Sequence, residues 1–277
     1  MHRSVKWLKQ ARRTALGRRP ADASTFVVFG CQRSGTSLLL RLVERDWRAH
    51  VFGEKSELFL DRPGDRRMID LSEAAGVVSR QRVRLVAIKP LVESHRVPEL
   101  LDGFPRASGV WMFRDVREVA RSNLKAFGID NGERDLQPIL DRSATDWRAA
   151  GASPATLDRA AELARHVTEP IEAAAIFWFV RNSLFFDLDY ANEPRLATCS
   201  YADLVTQPDA VMRGLYAQAG QPFPGERITR EVRDGSLGRG VDVDLAPAID
   251  DACAELFTRL ETIHQDKHLR VVASRDS

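Results

Sequence analysis

The stretch from Thr25 to Asp46, TFVVFGCQRSGTSLLLRLVERD, constrains this chain more than any other. Phe26, Val27, Val28 and Phe29 form an apolar run of the length expected for a buried parallel strand. Gly30 and Gly35 bracket the loop that follows, and without a Cβ each lets backbone approach a ligand closely. Thr36 or Ser37 starts a helix whose apolar face is Leu38, Leu39, Leu42 and Val43. A helix N-terminus behind a glycine loop offers unpaired N–H groups and the positive end of a dipole, a combination that attracts anions.

The loop departs from the nucleoside-triphosphate pattern at one informative place. That pattern needs Gly, four residues, Gly, Lys, then Ser or Thr. Here Gly30 and Gly35 keep the spacing, but Thr36 and Ser37 follow, and no lysine is present to reach a terminal phosphate. Arg33 lies inside the loop instead. The segment reads as a cradle for a 5′-phosphate without the usual γ-phosphate contact. The plainer alternative is a simple strand–helix turn.

The rest of the chain alternates in the same way. Val5, Trp7, Leu8, Ala11 and Leu16 would line one side of a basic helix within residues 1–22, which suits the surface of an anionic membrane. A frayed basic tail is the preferred reading of the same residues. His50 to Leu60 reads as a short extended segment carrying Glu54 and Glu57, and residues 61–82 as a loop with a short helix. Leu85 to Ile88 make the next strand, ending in Lys89-Pro90. Only six of the 41 basic residues are lysines, and Lys89 stands where a parallel strand delivers side chains to a ligand crevice. Val110 to Phe113 make a third strand, followed by Arg114 and by Asp115 as N-cap of a helix that carries Ser122.

Residues 137–190 read as mostly helical, with Trp178, Phe179, Phe185 and Phe186 as core rather than an aromatic substrate box. Arg195 to Ser200 give a fourth strand, Tyr201 to Ala219 a helix closed by Gly220, and residues 247–265 a last amphipathic helix. Strands alternating with helices imply an α/β fold of the P-loop type, three αβα layers around a mostly parallel sheet, occupying residues 23–270. A hydrophobic fraction of 44% with 29% charged residues fits an ordinary globule, and a net charge of +2 without an aromatic-interleaved basic stripe gives no sign of nucleic-acid binding. Cys31, Cys199 and Cys253 form neither a disulfide framework nor a zinc pattern, and no signal-peptide core is seen, so a cytoplasmic setting is expected. His264 and His268 read as a solvated helix face, and no metal is expected.

Taken together, these motifs resemble the sulfotransferases that use 3′-phosphoadenosine 5′-phosphosulfate (PAPS), over about residues 25–262. Gly30 to Leu39 is similar to that family's 5′-phosphosulfate loop, and Phe113-Arg114-Asp115 through Ser122 to its 3′-phosphate motif. Tyr201-Ala202-Asp203-Leu204, Pro208 and Gly220-Gln221-Pro222-Phe223 resemble its YxDL…P…GxPF signature. Gly235-Ser236-Leu237-Gly238-Arg239 resembles its late glycine loop over the nucleotide. Gly53-Glu54 and Lys89-Pro90 are similar to the bacterial branch related to tyrosylprotein and carbohydrate sulfotransferases.

The resemblance implies Glu54 as base and Lys89 as a transition-state cation, with His95 a weaker alternative for the second place. It implies a donor site of Gln32, Arg33, Ser34, Gly35, Thr36, Ser37, Arg114, Ser122, Tyr201, Ser236, Gly238 and Arg239. PAPS would be the donor and 3′-phosphoadenosine 5′-phosphate (PAP) the product. The acceptor would be a hydroxyl, first of a carbohydrate or glycolipid and next of a small phenol or alcohol. Two rivals stay open: a P-loop kinase or NTPase using ATP and magnesium, and a nucleotide-binding module without catalysis.

Overall fold

The structure is a computed structural model that describes residues 20–60, 65–232, 237–238 and 242–273, with only the backbone beyond residue 266. The basic segment 1–19 lies outside the described residues, so neither reading of the N-terminus is addressed.

Five strands form one parallel sheet in the order β2-β3-β1-β4-β5: β1 (Ser24–Gly30), β2 (Ala49–Phe52), β3 (Leu85–Ile88), β4 (Ala107–Phe113) and β5 (Leu196–Ser200). Every residue of β1 is buried, which explains why it reads as a continuous apolar run rather than an alternating one. Its side chains nevertheless divide between two layers. Val27 and Phe29 pack with Val86, Ile88, Trp111 and Phe113 on one face. Phe26 and Val28 pack with Leu85, Ala87, Val110 and Met112 on the other.

Helix α1 (Thr36–Glu44) covers the second face through Leu39, Leu40, Leu42 and Val43. The first face is covered by α2 (Leu71–Ser79) and α3 (Val97–Gly103). Beyond them lies a helical layer of α4 (Val116–Phe127), α5 (Asn131–Leu140), α6 (Pro154–Ala164) and α7 (Pro170–Asp187). Helix α7 is apolar on every side, as expected of a helix enclosed by others, and Trp178 and Phe185 are fully buried in it. Trp178 and Phe185 are therefore core, as their setting in the sequence suggests, whereas Phe179 and Phe186 are half-buried and line a surface cleft beside Arg159 and Arg259.

Three details differ from the sequence reading. The helix expected from Tyr201 to Ala219 is two, α8 (Tyr201–Thr206) and α9 (Pro208–Gln218). Pro208 lacks an N–H and forces Gln207 to φ −131°, so the first helix stops there and a second begins with Pro at N1. The extended segment after α1 is a strand only over Ala49–Phe52, which makes β2 the edge of the sheet. The last helix, α10 (Pro247–Ala273), does not leave His264 on a solvated face. His264 Nε2 lies 2.8 Å from Asp203 Oδ2 and Nδ1 lies 2.9 Å from Thr198 Oγ1, so the residue ties α10 to β5 and α8. The side chain of His268 lies outside the described residues.

Candidate active site

Strand β1 lies between β3 and β4, and the chain builds outward from it in both directions, so the sheet's switch point is at the C-terminal end of β1. In open parallel sheets that crevice is where ligands bind. Gly30, Lys89 and Arg114 each end or directly follow one of these three strands.

The loop after β1 has the geometry of a cradle. Gly30 has φ +120°, and a Cβ there would stand 2.2 Å from the Met112 carbonyl oxygen. Gly35 has φ +93°, and a Cβ there would stand 2.3 Å from Cδ2 of Tyr201. Arg33 itself adopts φ 68°, a left-handed conformation that costs an arginine about 1–3 kcal/mol and clusters at functional sites. Gly35 caps α1 without any side-chain hydrogen bond, so the N-cap residue leaves the first N–H groups of that helix unclaimed. Ser34 is fully buried, and its Oγ has no hydrogen-bond partner. From behind, the Gly30 N–H donates to Ser94 Oγ at 3.2 Å, and that hydroxyl donates to the Leu91 carbonyl at 2.9 Å.

Two arginines converge beside the loop. Arg33 Nε donates to Ser122 Oγ at 3.0 Å, bringing together the loop and the motif residue two turns into α4. Arg114 stacks on the Tyr201 ring at 4.0 Å, and its Nη1 reaches the Arg33 carbonyl at 3.5 Å. Its Nε donates to Glu118 at 2.7 Å. Burial, and then the charge of Arg114, lower the Arg33 guanidinium from its ordinary value. Two cations held this close favour an anion between or beside them. Asp115 caps α4, accepting from the N–H groups of Arg117 and Glu118 at 2.9 and 3.2 Å.

On the other side of the loop lies the pair expected to carry the chemistry. Lys89 Nζ stands 2.9 Å from Glu54 Oε2 and donates to Ser37 Oγ at 3.1 Å. Lys89 is only 7% exposed, so it is no rim lysine. Its backbone N–H continues the ladder to the Phe52 carbonyl at 3.2 Å. Glu54 is held from the next segment, where Arg66 Nη1 donates to its carbonyl at 3.3 Å. Ser37, Leu40, Arg41, Val51, Gly53, Glu54 and Lys89 line a cleft of about 300 Å³.

The remaining sequence candidates divide. The Gln32 side chain turns to Asp135, donating at 3.1 Å into a network with Asn131 and Arg148. Thr36 is buried at the start of α1. His95 does not line the cleft; it packs against Gly151, and burial lowers its imidazole to about 4. Ser236 and Arg239 lie outside the described residues, whereas the Gly238 N–H donates to Glu118 Oε1 at 2.5 Å. Cys31, within the loop, is an inert thiol that burial pushes up to about 12. Among the described residues no group of three or more His, Cys, Asp or Glu could hold a metal, and no helix is long and apolar enough to cross a membrane. Two participants escaped the sequence reading. Glu118 had a signal in its spacing of four from Arg114, but Ser94 had none.

No protein-family model and no curated protein matches the chain. Among solved structures, a sulfotransferase from Alicyclobacillus acidocaldarius superposes with TM-score 0.51 at 17% identity, covering 89% of this chain and 97% of the other. The chain shares that enzyme's fold. The sulfotransferase domain of the Synechococcus PCC 7002 olefin synthase aligns with TM-score 0.49 at 14% identity, over 88% of this chain and 97% of the other. A mouse sulfotransferase, SULT7A1, solved in complex with PAP, aligns with TM-score 0.40 at 12% identity, over 88% and 86%.

Proposed function

We propose that the chain is a sulfotransferase that moves a sulfuryl group from PAPS to an acceptor hydroxyl. The observation that carries this reading is the contact of Lys89 with both Glu54 and Ser37 at one edge of the anion loop, with Arg33 and Arg114 at the other. The residues fit such a donor. The two glycines let the loop pack against Met112 and Tyr201 where a Cβ would clash, Ser34 keeps an unpartnered buried hydroxyl, and Arg33 and Arg114 bring two cations to the loop.

In this reading the N–H groups at the start of α1, with Arg33, hold the 5′-phosphate. Arg114 and Ser122 hold the 3′-phosphate, a group that ATP lacks. Bound PAPS supplies an activated sulfuryl group whose leaving oxygen belongs to a phosphate. Glu54 takes the proton of the acceptor hydroxyl as the new O–S bond forms. Lys89 balances negative charge gathering on the departing oxygen as the old S–O bond breaks. A carbohydrate or glycolipid hydroxyl is the preferred acceptor, in keeping with the Gly53-Glu54 and Lys89-Pro90 pairs, and a small phenol or alcohol is the second choice.

Calorimetric titration with PAP, with ATP–magnesium alongside, tests the donor assignment. PAP should bind the more tightly, and Arg114→Ala should weaken it about tenfold or more, the worth of a charge-assisted hydrogen bond. A preference for ATP–magnesium would return the chain to the kinases. PAP binding with no transfer to any acceptor would favour a non-catalytic module.

A further inference from the structure

Glu118 is a carboxylate in contact with Arg114, and both of its oxygens are engaged. Oε2 accepts from Arg114 Nε at 2.7 Å, and Oε1 accepts from the Gly238 N–H at 2.5 Å. An acid in the first turn of a helix is ordinarily a solvated partner of the helix dipole. Glu118 is instead 8% exposed, and its contacts reach a strand end on one side and a loop 120 residues further along on the other. A carboxylate is taken out of water in this way at a cost, which is offset only when charged and N–H partners meet both oxygens.

The consequence falls on Arg114. A guanidinium is a rigid planar fork. Here its plane is set by the Tyr201 ring and its Nε edge by Glu118, so its outer edge is turned to the loop, where Nη1 meets the Arg33 carbonyl. Without Glu118 the Nε edge of Arg114 would lose this partner, and so would the Gly238 N–H.

We propose that Glu118 is a positioning residue of the donor site: it orients Arg114 and pins Gly238 through one carboxylate, and thereby sets the preference for a 3′-phosphorylated nucleotide. This rests on the donor reading above. Glu118 acts through Arg114 and need not touch the nucleotide. Glutamine at this position is nearly the same size, but it places an NH2 donor where one of the two accepting oxygens stands, so Arg114 and Gly238 cannot each keep its own acceptor.

The test is titration of the full chain with PAP and with adenosine 5′-phosphate, which lacks the 3′ group. The proteins are wild type, Glu118→Gln, Arg114→Ala and the double variant, with Glu118→Asp as the variant that keeps the charge on a shorter arm. Glu118→Gln should lose about tenfold in PAP affinity while adenosine 5′-phosphate binding barely changes. The double variant should be no weaker than Arg114→Ala alone, and Glu118→Asp should show the same selective loss to a smaller degree. Unchanged PAP affinity in Glu118→Gln overturns the proposal and leaves the donor reading intact. So does an equal loss for both nucleotides, which would mark a merely structural role. Wild-type protein that does not prefer PAP overturns the donor reading and this proposal with it.

Discussion

Lys89 and Glu54 hold each other in this structure, and that mutual hold shapes what each can do. The buried Lys89 ammonium, 2.9 Å from Glu54 Oε2 and donating to Ser37 Oγ at 3.1 Å, holds that carboxylate beside the loop after β1. In the proposed reading, an acceptor hydroxyl entering the cleft would find Glu54 already aligned beside Lys89. Glu54→Gln removes the proton acceptor but keeps the shape of the side chain. Its kcat should fall about 10²–10⁴-fold, the usual contribution of a general base, while PAP affinity stays near wild type. Steady-state rates with labelled PAPS, set beside PAP titration, separate the two effects. Full turnover in Glu54→Gln would move the base elsewhere.

At the scale of elements, α4 and its cap support one side of the proposed donor site. Asp115 caps it, Glu118 holds Arg114, and Ser122 receives Arg33. Asp115→Ala removes a side chain that accepts two N–H bonds, so the protein should lose about 1 kcal/mol, whereas Asp115→Asn should lose much less. Urea unfolding midpoints measure both, and equal losses in the two variants would mean that charge rather than capping matters there. Strand β1, its loop and the cap of α4 were legible in the sequence because their signals are local: an apolar run, paired glycines, an Asp before an amphipathic stretch. The break at Gln207-Pro208 was local too, but it was hidden by the continuous apolar periodicity across it. The pairing of His264 with Asp203 and Thr198, and of Gly238 with Glu118, could not be read, because each joins residues far apart in sequence whose nearness only the sheet creates.

At the scale of the whole molecule, the half-buried imidazole of His95 gives a pH signature. His95 is lowered to about 4 by burial first, then by Arg181, against a pull upward from Glu93. An unfolded histidine titrates near 6.5. Between those values the unfolded chain binds a proton that the folded chain refuses, so stability falls as pH drops from about 6.5 to 4 and this effect levels off below that. The full difference is about 3 kcal/mol at one unit per 1.36 kcal/mol. His95→Gln should flatten that part of the curve, and denaturant unfolding at a series of pH values compares the two proteins. Parallel curves would show that His95 is not the group responsible.

The central strand also bears on how the molecule is made. Strand β1 pairs with β3 and β4 and never with β2, so its first hydrogen-bonding neighbour begins only at Leu85. Parallel neighbours cannot be joined by a tight hairpin, and long closures come late in folding. A nascent chain that has emerged as far as β2 therefore has an exposed apolar ribbon with nothing beside it. Synthesis must pass β3 before the loop after β1 has a floor, and must reach Tyr201 before Arg114 has its stacking partner. Chains halted between those points are the ones a chaperone should hold.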